Sequence, residues 1–412
     1  SRTMGLVVPD LLGVDSRAAD YGLLRDGRLL GNPFHYRDAR TERGVEAVHA
    51  RVSYPELFAR NGLQFLPFNS LYQFAAEPDA LLNFADTALL IPDLIGYWLT
   101  GEARAEQTNA STTGLARTDG TWDDELLATL DFRRDLFPAL IHPGERLGAL
   151  RAELAASVGA PRDVAVTAVG SHDTASAVVA VPMRADAAAY ISCGTWGLVG
   201  VEVERPVLSA EARAASFTNE GGVDGRVRLL RNVMGLWILS EAVRTWERAG
   251  ETIDLSRLLQ AAGDVTVEVP VFDVDDQRFL APGDMPARID AWCAEHDIAR
   301  PDSRAAYARS IIESLAQAFA DSARQAAALG GIDIRTIHMV GGGALNDLLC
   351  QRTADRAGLV VLAGPVEATG LGNILVQARA QGFVHGSLED LRALVARTHQ
   401  PRRFVPRAST SS

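Results

Sequence analysis

Hydrophobic positions along this chain follow two rhythms. In one, apolar residues come in short runs closed by turn-forming residues, as in strands; in the other they recur every three or four positions, as on a helix face. The first rhythm governs residues 6–31, where "LVVPDLLGVD" and "YGLLRDGRLLG" read as strands and Asp26-Gly27 as a hairpin turn. Residues 32–160 are mostly helical in pattern, with "ADTALLIPDLIGYWLTGE" as a long apolar helical stretch. Next, "DVAVTAVG" (163–170) predicts a buried strand and "TASAVVAV" the start of a helix. The segment "AAAYISCGTWGLVGVEVE" (187–204) alternates and breaks at Gly194-Thr195, so it predicts a hairpin. A helix-rich stretch from about Gly235 to Ala262 precedes the strand-like "VTVEVPVF". Residues 303–331 form a strong amphipathic helix stopped by Gly330-Gly331. The chain then reads strand "TIHMV", three glycines, helix, strand "LVVLAG", loop, helix, and a tail "RASTSS" of disordered type.

Strands interleaved with helices predict an α/β fold with largely parallel sheets. Two segments echo one another: "AVGSHDTASAV" and "MVGGGALNDLL" each run strand, glycine, polar turn, helix. Two related halves meeting at a cleft are expected, with the boundary near Pro182-Met183. A length of 412 residues agrees with two domains.

Composition removes several function classes. No run approaches the roughly 18 apolar residues a membrane helix needs. The net charge of −12 argues against a nucleic-acid surface, which needs clustered cations. Cys193, Cys293 and Cys350 are widely spaced, which fits a reducing cytosol and no disulfide framework, and no His/Cys pair has zinc-ligand spacing. The chain contains no lysine, so every one of its 40 basic residues is arginine. That excludes a P-loop, a protein kinase of the strand-lysine type and a pyridoxal Schiff base.

Three motifs carry candidate chemistry. "GSHDTASAV" sets Ser171, His172 and Asp173 side by side, but adjacent residues on an extended turn point apart and no nucleophile elbow is present, so it is no hydrolase triad. It reads either as helix capping or as an aspartate at the carboxyl end of a strand, placed to take a proton from a substrate hydroxyl. "ISCGTWGLVG" offers bare backbone N–H groups and the Thr195 hydroxyl to a phosphate, or is an ordinary hairpin turn. "HMVGGGALN" lets a ligand approach the backbone at a helix start, or is a tight turn; the dinucleotide fingerprint fails at Asn346. Met234 and Trp237 in "NVMGLWILS" read as core, and Arg37 and Asp38 in "NPFHYRDART" as a surface ion pair.

Taken together and in order, "HYRDART", "NGLQFLPFNSLYQF", "PDLIGYWLTGE", "TNASTTGL", "GSHDTASAV", "SCGTWGLVG", "FTNEGG", "NVMGLW", "VGGGALN" and "AGPVEATGLGN" resemble the FGGY carbohydrate kinases over nearly the whole chain. The resemblance implies two actin-like (RNase H-like) ATPase domains around a central cleft. It assigns residues 1–182 to a sugar-binding N-terminal domain and 183–405 to a nucleotide-binding C-terminal domain, with 406–412 a disordered tail. It implies a cytoplasmic enzyme that uses ATP and Mg²⁺ to phosphorylate L-rhamnulose at its 1-hydroxyl in L-rhamnose catabolism, its partners being the sugar and ATP and not a nucleic acid or a membrane. Asp173 matches the general base, His172, Thr174 and Asn232 match sugar-contacting positions, and Gly194, Thr195, Gly342 and Gly343 match nucleotide positions; no protein metal ligand is assigned.

Departures from the family pattern set rival expectations. The strand-turn-strand with an Asp-x-Gly motif that holds the ATP phosphates is expected to be missing ahead of "LLGVD", which predicts an exposed strand edge and low stability. Arg17 replaces an aromatic wall, Ala18 stands where a glycine backbone meets the sugar, and Ser240 stands where a glutamine contacts ATP. Two other readings follow: a kinase of this family for another ketose such as L-fuculose or L-xylulose, or a catalytically dead sugar- or nucleotide-binding protein.

Overall fold

The computed structural model describes residues 11–161 and 163–407, so residues 6–10 of the first expected strand and most of the expected tail lie outside the described residues. The chain divides into two compact units. The first holds residues 1–180, 203–229 and 369–394; the second holds residues 181–202, 230–368 and 395–412.

In the first unit, strand Leu11–Leu12 pairs in parallel with Ala165–Thr167, which pairs antiparallel with Arg146–Ala149. The expected hairpin is present: Tyr21–Arg25 pairs antiparallel with Arg28–Leu29, and Asp26 and Gly27 turn the chain with φ of 49° and 73°. Positive φ at both turn positions matches the right-handed twist of the flanking strands. The stretch "ADTALLIPDLIGYWLTGE" is not one helix. Its first part, Thr87–Leu90, is a strand paired antiparallel with Tyr21–Leu24, and the helix is Ile91–Thr100. Pro92 explains the break, since a proline has no N–H to bond within a helix yet fits its first turn. Helices Thr41–His49, Tyr54–Asn61, Ser70–Ala75 and Asp124–Thr129 enclose a core that includes Val48, Leu57, Leu71, Phe74, Leu115 and Leu127.

In the second unit, which takes Val227–Met234 from residue 230 on and Trp196–Val203 up to residue 202, the strands lie in the order Val227–Met234, Trp196–Val203, Ala188–Cys193, Thr336–Val340, Val360–Ala363, Arg402–Phe404. Thr336–Val340 runs parallel to both its neighbours, whereas the hairpin and the Arg402–Phe404 edge are antiparallel. The sheet is therefore mixed rather than largely parallel, because a tight turn at Gly194-Thr195 can only reverse the chain. The long helix is Arg304–Gly330, with the Ser303 hydroxyl accepting from the Ala306 N–H and Gly331 ending it at φ 67°. The strand-like "VTVEVPVF" forms no strand. It lies along that helix instead: the Ser310 hydroxyl donates to the Pro270 carbonyl at 2.5 Å, and the Phe272 N–H donates to the Ser314 hydroxyl at 3.0 Å. Side chains of the helix take the bonds that a neighbouring strand would have supplied. Among the described residues no helix is long and apolar enough to cross a membrane.

Candidate active site

Both echoing segments form the predicted unit of strand, turn and helix, one in each compact unit. In the first, strand Ala165–Thr167 leads through Gly170 and Ser171 to helix Asp173–Val179. Gly170 is forced: a Cβ there would lie 3.0 Å from the Ser176 nitrogen. Of the polar residues that follow, His172 stands at the N-cap and makes no side-chain cap bond among the described residues, while Asp173 takes the first-turn N–H of Thr174. The Ser171 hydroxyl donates to Glu106 Oε2 at 2.7 Å, and its N–H donates to the same oxygen at 2.9 Å. Asp173 Oδ1 accepts from the Thr174 N–H at 2.6 Å and from its hydroxyl at 3.1 Å, and the side chain remains 43% exposed. A carboxylate oriented on one oxygen and open to solutes is what a base for a bound hydroxyl requires.

The anchor beneath this segment is Glu106, which the sequence reading passed over. Besides Ser171, it accepts from the Thr108 N–H and hydroxyl and from the Asn109 N–H. Burial pushes its carboxyl up, and the bonds from Thr108 and Ser171 offset that only in part. Asp93 lies behind it: its Oδ1 accepts the Glu106 N–H at 3.1 Å, while its Oδ2 is buried without a hydrogen-bond partner among the described residues. Burial first, and the Glu106 charge second, drive the Asp93 carboxyl well above the carboxylate range.

Residues 13–20 run along the other side of Asp173. The Ser16 N–H donates to the Ser171 carbonyl and the Asp173 N–H donates to the Ser16 carbonyl, each at 2.9 Å. This places Ala18, half-buried, two residues beyond the contact. Ala19 adopts φ 82°, a left-handed conformation that costs a residue with a Cβ, and it is held there by the Ser70 hydroxyl and the Gln73 amide, both donating to its carbonyl. Arg17 does not project a bare charge: it pairs with Asp20 at 3.2 Å and lies 5.3 Å from the Tyr36 ring centroid. Arg37 and Asp38 bond elsewhere than expected, Arg37 Nε donating to the Tyr36 hydroxyl and Asp38 Oδ1 accepting from the Arg40 N–H.

Asp15 is the remaining carboxylate here. Asn373 Nδ2 donates to it, and its carboxyl is pushed up by burial and then by the charge of Asp173. No group of three or more His, Cys, Asp or Glu side chains is arranged to hold a metal among the described residues. Mg²⁺ asks for less, usually one or two carboxylates together with substrate phosphates and water. Asp15 fits that demand, because a cation would relieve the crowding of its charge against Asp173.

In the second unit the turn Gly194-Thr195 is exposed at the tip of the hairpin. Its carbonyls face inward, Gly194 accepting from the Leu236 N–H at 2.9 Å and Thr195 from the Trp237 N–H at 3.3 Å. The close fit requires Gly235, where a Cβ would lie 2.5 Å from the Trp196 carbonyl carbon. Helix Trp237–Arg248 begins at that contact and carries Ser240, exposed, one turn later. The three glycines after strand Thr336–Val340 divide the work. Cβ atoms on Gly341 and Gly343 would meet Cys193, at 2.8 Å from its carbonyl oxygen and 2.4 Å from its side chain, whereas one on Gly342 meets nothing within 4 Å. Gly342 thus leaves the backbone bare to an approaching ligand, and its neighbours are glycines because the hairpin leaves no room. Asn346, where the fingerprint failed, caps helix Asp347–Ala357 by accepting from the Leu349 N–H. Met234 is core as expected, and Asn232 is half-buried on the strand that ends at it.

Two family models match the chain: the N-terminal domain of the FGGY family of carbohydrate kinases over residues 19–180, and the C-terminal domain of the same family over residues 189–381. The chain is 42% identical over 409 residues to the rhamnulokinase of Pectobacterium carotovorum subsp. carotovorum (strain PC1), an alignment that covers 98% of this chain and 80% of that one. It is 39% identical over 406 residues to the rhamnulokinase of Enterobacter sp. (strain 638), covering 97% and 81%. Among solved structures, a ligand-bound xylulose kinase from Lactobacillus acidophilus matches with a TM-score of 0.76 at 18% identity, covering 95% of this chain and 79% of that one. A glycerol kinase from Plasmodium falciparum with ADP matches at 0.74 and 15%, covering 96% and 79%.

Proposed function

This chain belongs to the FGGY family of carbohydrate kinases, and from that premise we propose that it transfers the γ-phosphoryl group of ATP to the 1-hydroxyl of L-rhamnulose, with Asp173 as general base. The observation that carries the reading is the state of Asp173: an exposed carboxylate held on Oδ1 by Thr174, in a segment pinned by Glu106 and Ser16. The choice of sugar rests on relatives named rhamnulokinase at about 40% identity across the chain.

A sugar hydroxyl is a weak nucleophile at neutral pH, so its proton must leave as the bond to phosphorus forms. Asp173 Oδ2 takes that proton while Oδ1 stays occupied by Thr174. His172, Thr174, Asn232 and the backbone at Ala18 are the sugar contacts in this reading. The bare backbone at Gly342, the Thr195 hydroxyl at the exposed hairpin tip and the Ser240 position on the following helix face the nucleotide, whereas the Gly194 N–H is taken by the Trp196 carbonyl at 2.8 Å. Mg²⁺, held through Asp15 and the phosphates, would neutralise charge on the transferring group. No lysine is required at any point.

ADP formation with ATP, Mg²⁺ and L-rhamnulose tests the assignment. Asp173→Asn should lower kcat by at least about a hundredfold, the usual scale of a general base, with the KM for the sugar changed far less. Equal rates on L-fuculose or L-xylulose would refute the sugar. Undiminished turnover by the variant would refute the base.

A further inference from the structure

His172 is buried beside the proposed base, and what holds its ring is a pair of residues with no part in the reading above. Strand Thr218–Gly221 supplies Glu220, and the next strand supplies Arg228, whose side chain is entirely buried. Arg228 Nη2 lies 3.1 Å from His172 Nδ1 and 3.1 Å from Glu220 Oε2, and its Nε donates to the Gly221 carbonyl at 3.0 Å. Glu220 Oε2 is also 3.2 Å from Nδ1, yet no hydrogen bond closes on that oxygen among the described residues, so the hydrogen-bond partner of Nδ1 is Arg228 and not Glu220. Burial raises the Glu220 carboxyl, but the charge of the Arg228 guanidinium works against it, and the group lies below its ordinary value. On its other edge, His172 Nε2 is 3.5 Å from Asp173 Oδ1.

A guanidinium has donors only and stays protonated. A neutral imidazole nitrogen that takes a hydrogen bond from it must present a lone pair, and the ring proton is then on the other nitrogen. We propose that Arg228, neutralised by Glu220, fixes His172 as the Nε2–H tautomer and thereby turns it into a hydrogen-bond donor on the side of Asp173. Arg228 and Glu220 are positioning residues for the reaction proposed above, on which their catalytic relevance rests. Nε2–H then faces Oδ1 at 3.5 Å without a hydrogen bond to it among the described residues; Thr174 holds that oxygen, and the free lone pairs of the base are those of Oδ2. The same N–H is available to an oxygen of a bound sugar, so the pocket would select a hydrogen-bond acceptor beside the reacting hydroxyl.

The tautomer is read directly from the imidazole nitrogen shifts of the ¹⁵N-histidine-labelled full chain at pH 8 without sugar, the His172 signals being identified by their loss in His172→Gln. The expected pattern is a protonated Nε2 and an unprotonated Nδ1. A protonated Nδ1 would overturn the proposal, whether or not the chain phosphorylates L-rhamnulose, so its failure is separable from that of the function. Arg228→Met should move the proton to Nδ1, facing Glu220, and lower kcat about tenfold or more with a smaller change in the KM for ATP; Arg228→Lys should restore part of both. A folded Arg228→Met that keeps the wild-type tautomer would also overturn it. If that variant does not fold, the wild-type spectrum alone decides.

Discussion

Asp93→Asn should make the protein more stable at neutral pH, although it alters a buried and hydrogen-bonded side chain. The carboxyl keeps one bond, from the Glu106 N–H, while its second oxygen is buried without a partner among the described residues and its neighbour is another buried carboxylate. Its folded pKa is raised from 3.8, so the unfolded chain releases this proton more readily than the native one. The associated stability is fully present below that ordinary value and is lost as pH rises through the folded pKa. Each pH unit in that window costs about 1.4 kcal/mol, so the loss at pH 7 reaches at most about 4 kcal/mol. Asparagine keeps the acceptor and cannot ionise, but it buries an amide group at a cost of about 1–3 kcal/mol. The net expectation is a gain at pH 7 of at most about 3 kcal/mol that vanishes or reverses near pH 4.5. Urea-unfolding midpoints for both proteins, followed by circular dichroism at pH 4.5 and 7.5, measure the two differences. Parallel pH dependence, or a variant less stable at pH 7.5, would refute the reasoning.

The neighbouring carboxyl should behave in the opposite sense: Glu106→Gln replaces an acceptor surrounded by donors with a group that is half donor, and should cost at least about 2 kcal/mol in the same urea assay. Ala19→Gly should raise the thermal midpoint, since relief of the left-handed strain exceeds the extra chain entropy of glycine by about 0.5–1 kcal/mol. Gly343→Ala should lose about 1–3 kcal/mol through collision with Cys193, whereas Gly342→Ala should melt near the wild type and raise the KM for ATP, which paired melting and kinetics would separate.

The α/β class, the hairpins and the long helix were legible because each has a local cause: Asp26-Gly27, Gly194-Thr195, and the stop at Gly330-Gly331. "VTVEVPVF" was misread because alternation reports which residues are buried, not what their backbone bonds to, and here the partners are two serines of a helix some forty residues away. The polar residues of "GSHD" were visible, but their setting was not. Glu106 is one glutamate among many in sequence, and only the fold brings it 2.9 Å from the Ser171 nitrogen. Glu220 and Arg228 lie in and beside "FTNEGG", a segment whose resemblance was plain while its physical role required the position of His172. Arg17 was read as standing in place of an aromatic wall, while its pairing with Asp20 and its place against the Tyr36 ring were not legible, because neither residue announces its distance from it.

The link between Ser16 and Asp173 has a kinetic consequence. The Asp173 amide is bonded not within its own helix but to the Ser16 carbonyl, and the Ser16 amide returns a bond to Ser171. Hydrogen exchange at those two amides therefore times the detachment of the 13–18 segment, not the fraying of the helix. Whatever slackens that segment, be it heat, denaturant or a substitution far from Asp173, unlatches the backbone of Asp173 in the same event. A single slowly exchanging signal would thus serve as a clock for how long the carboxylate stays aimed.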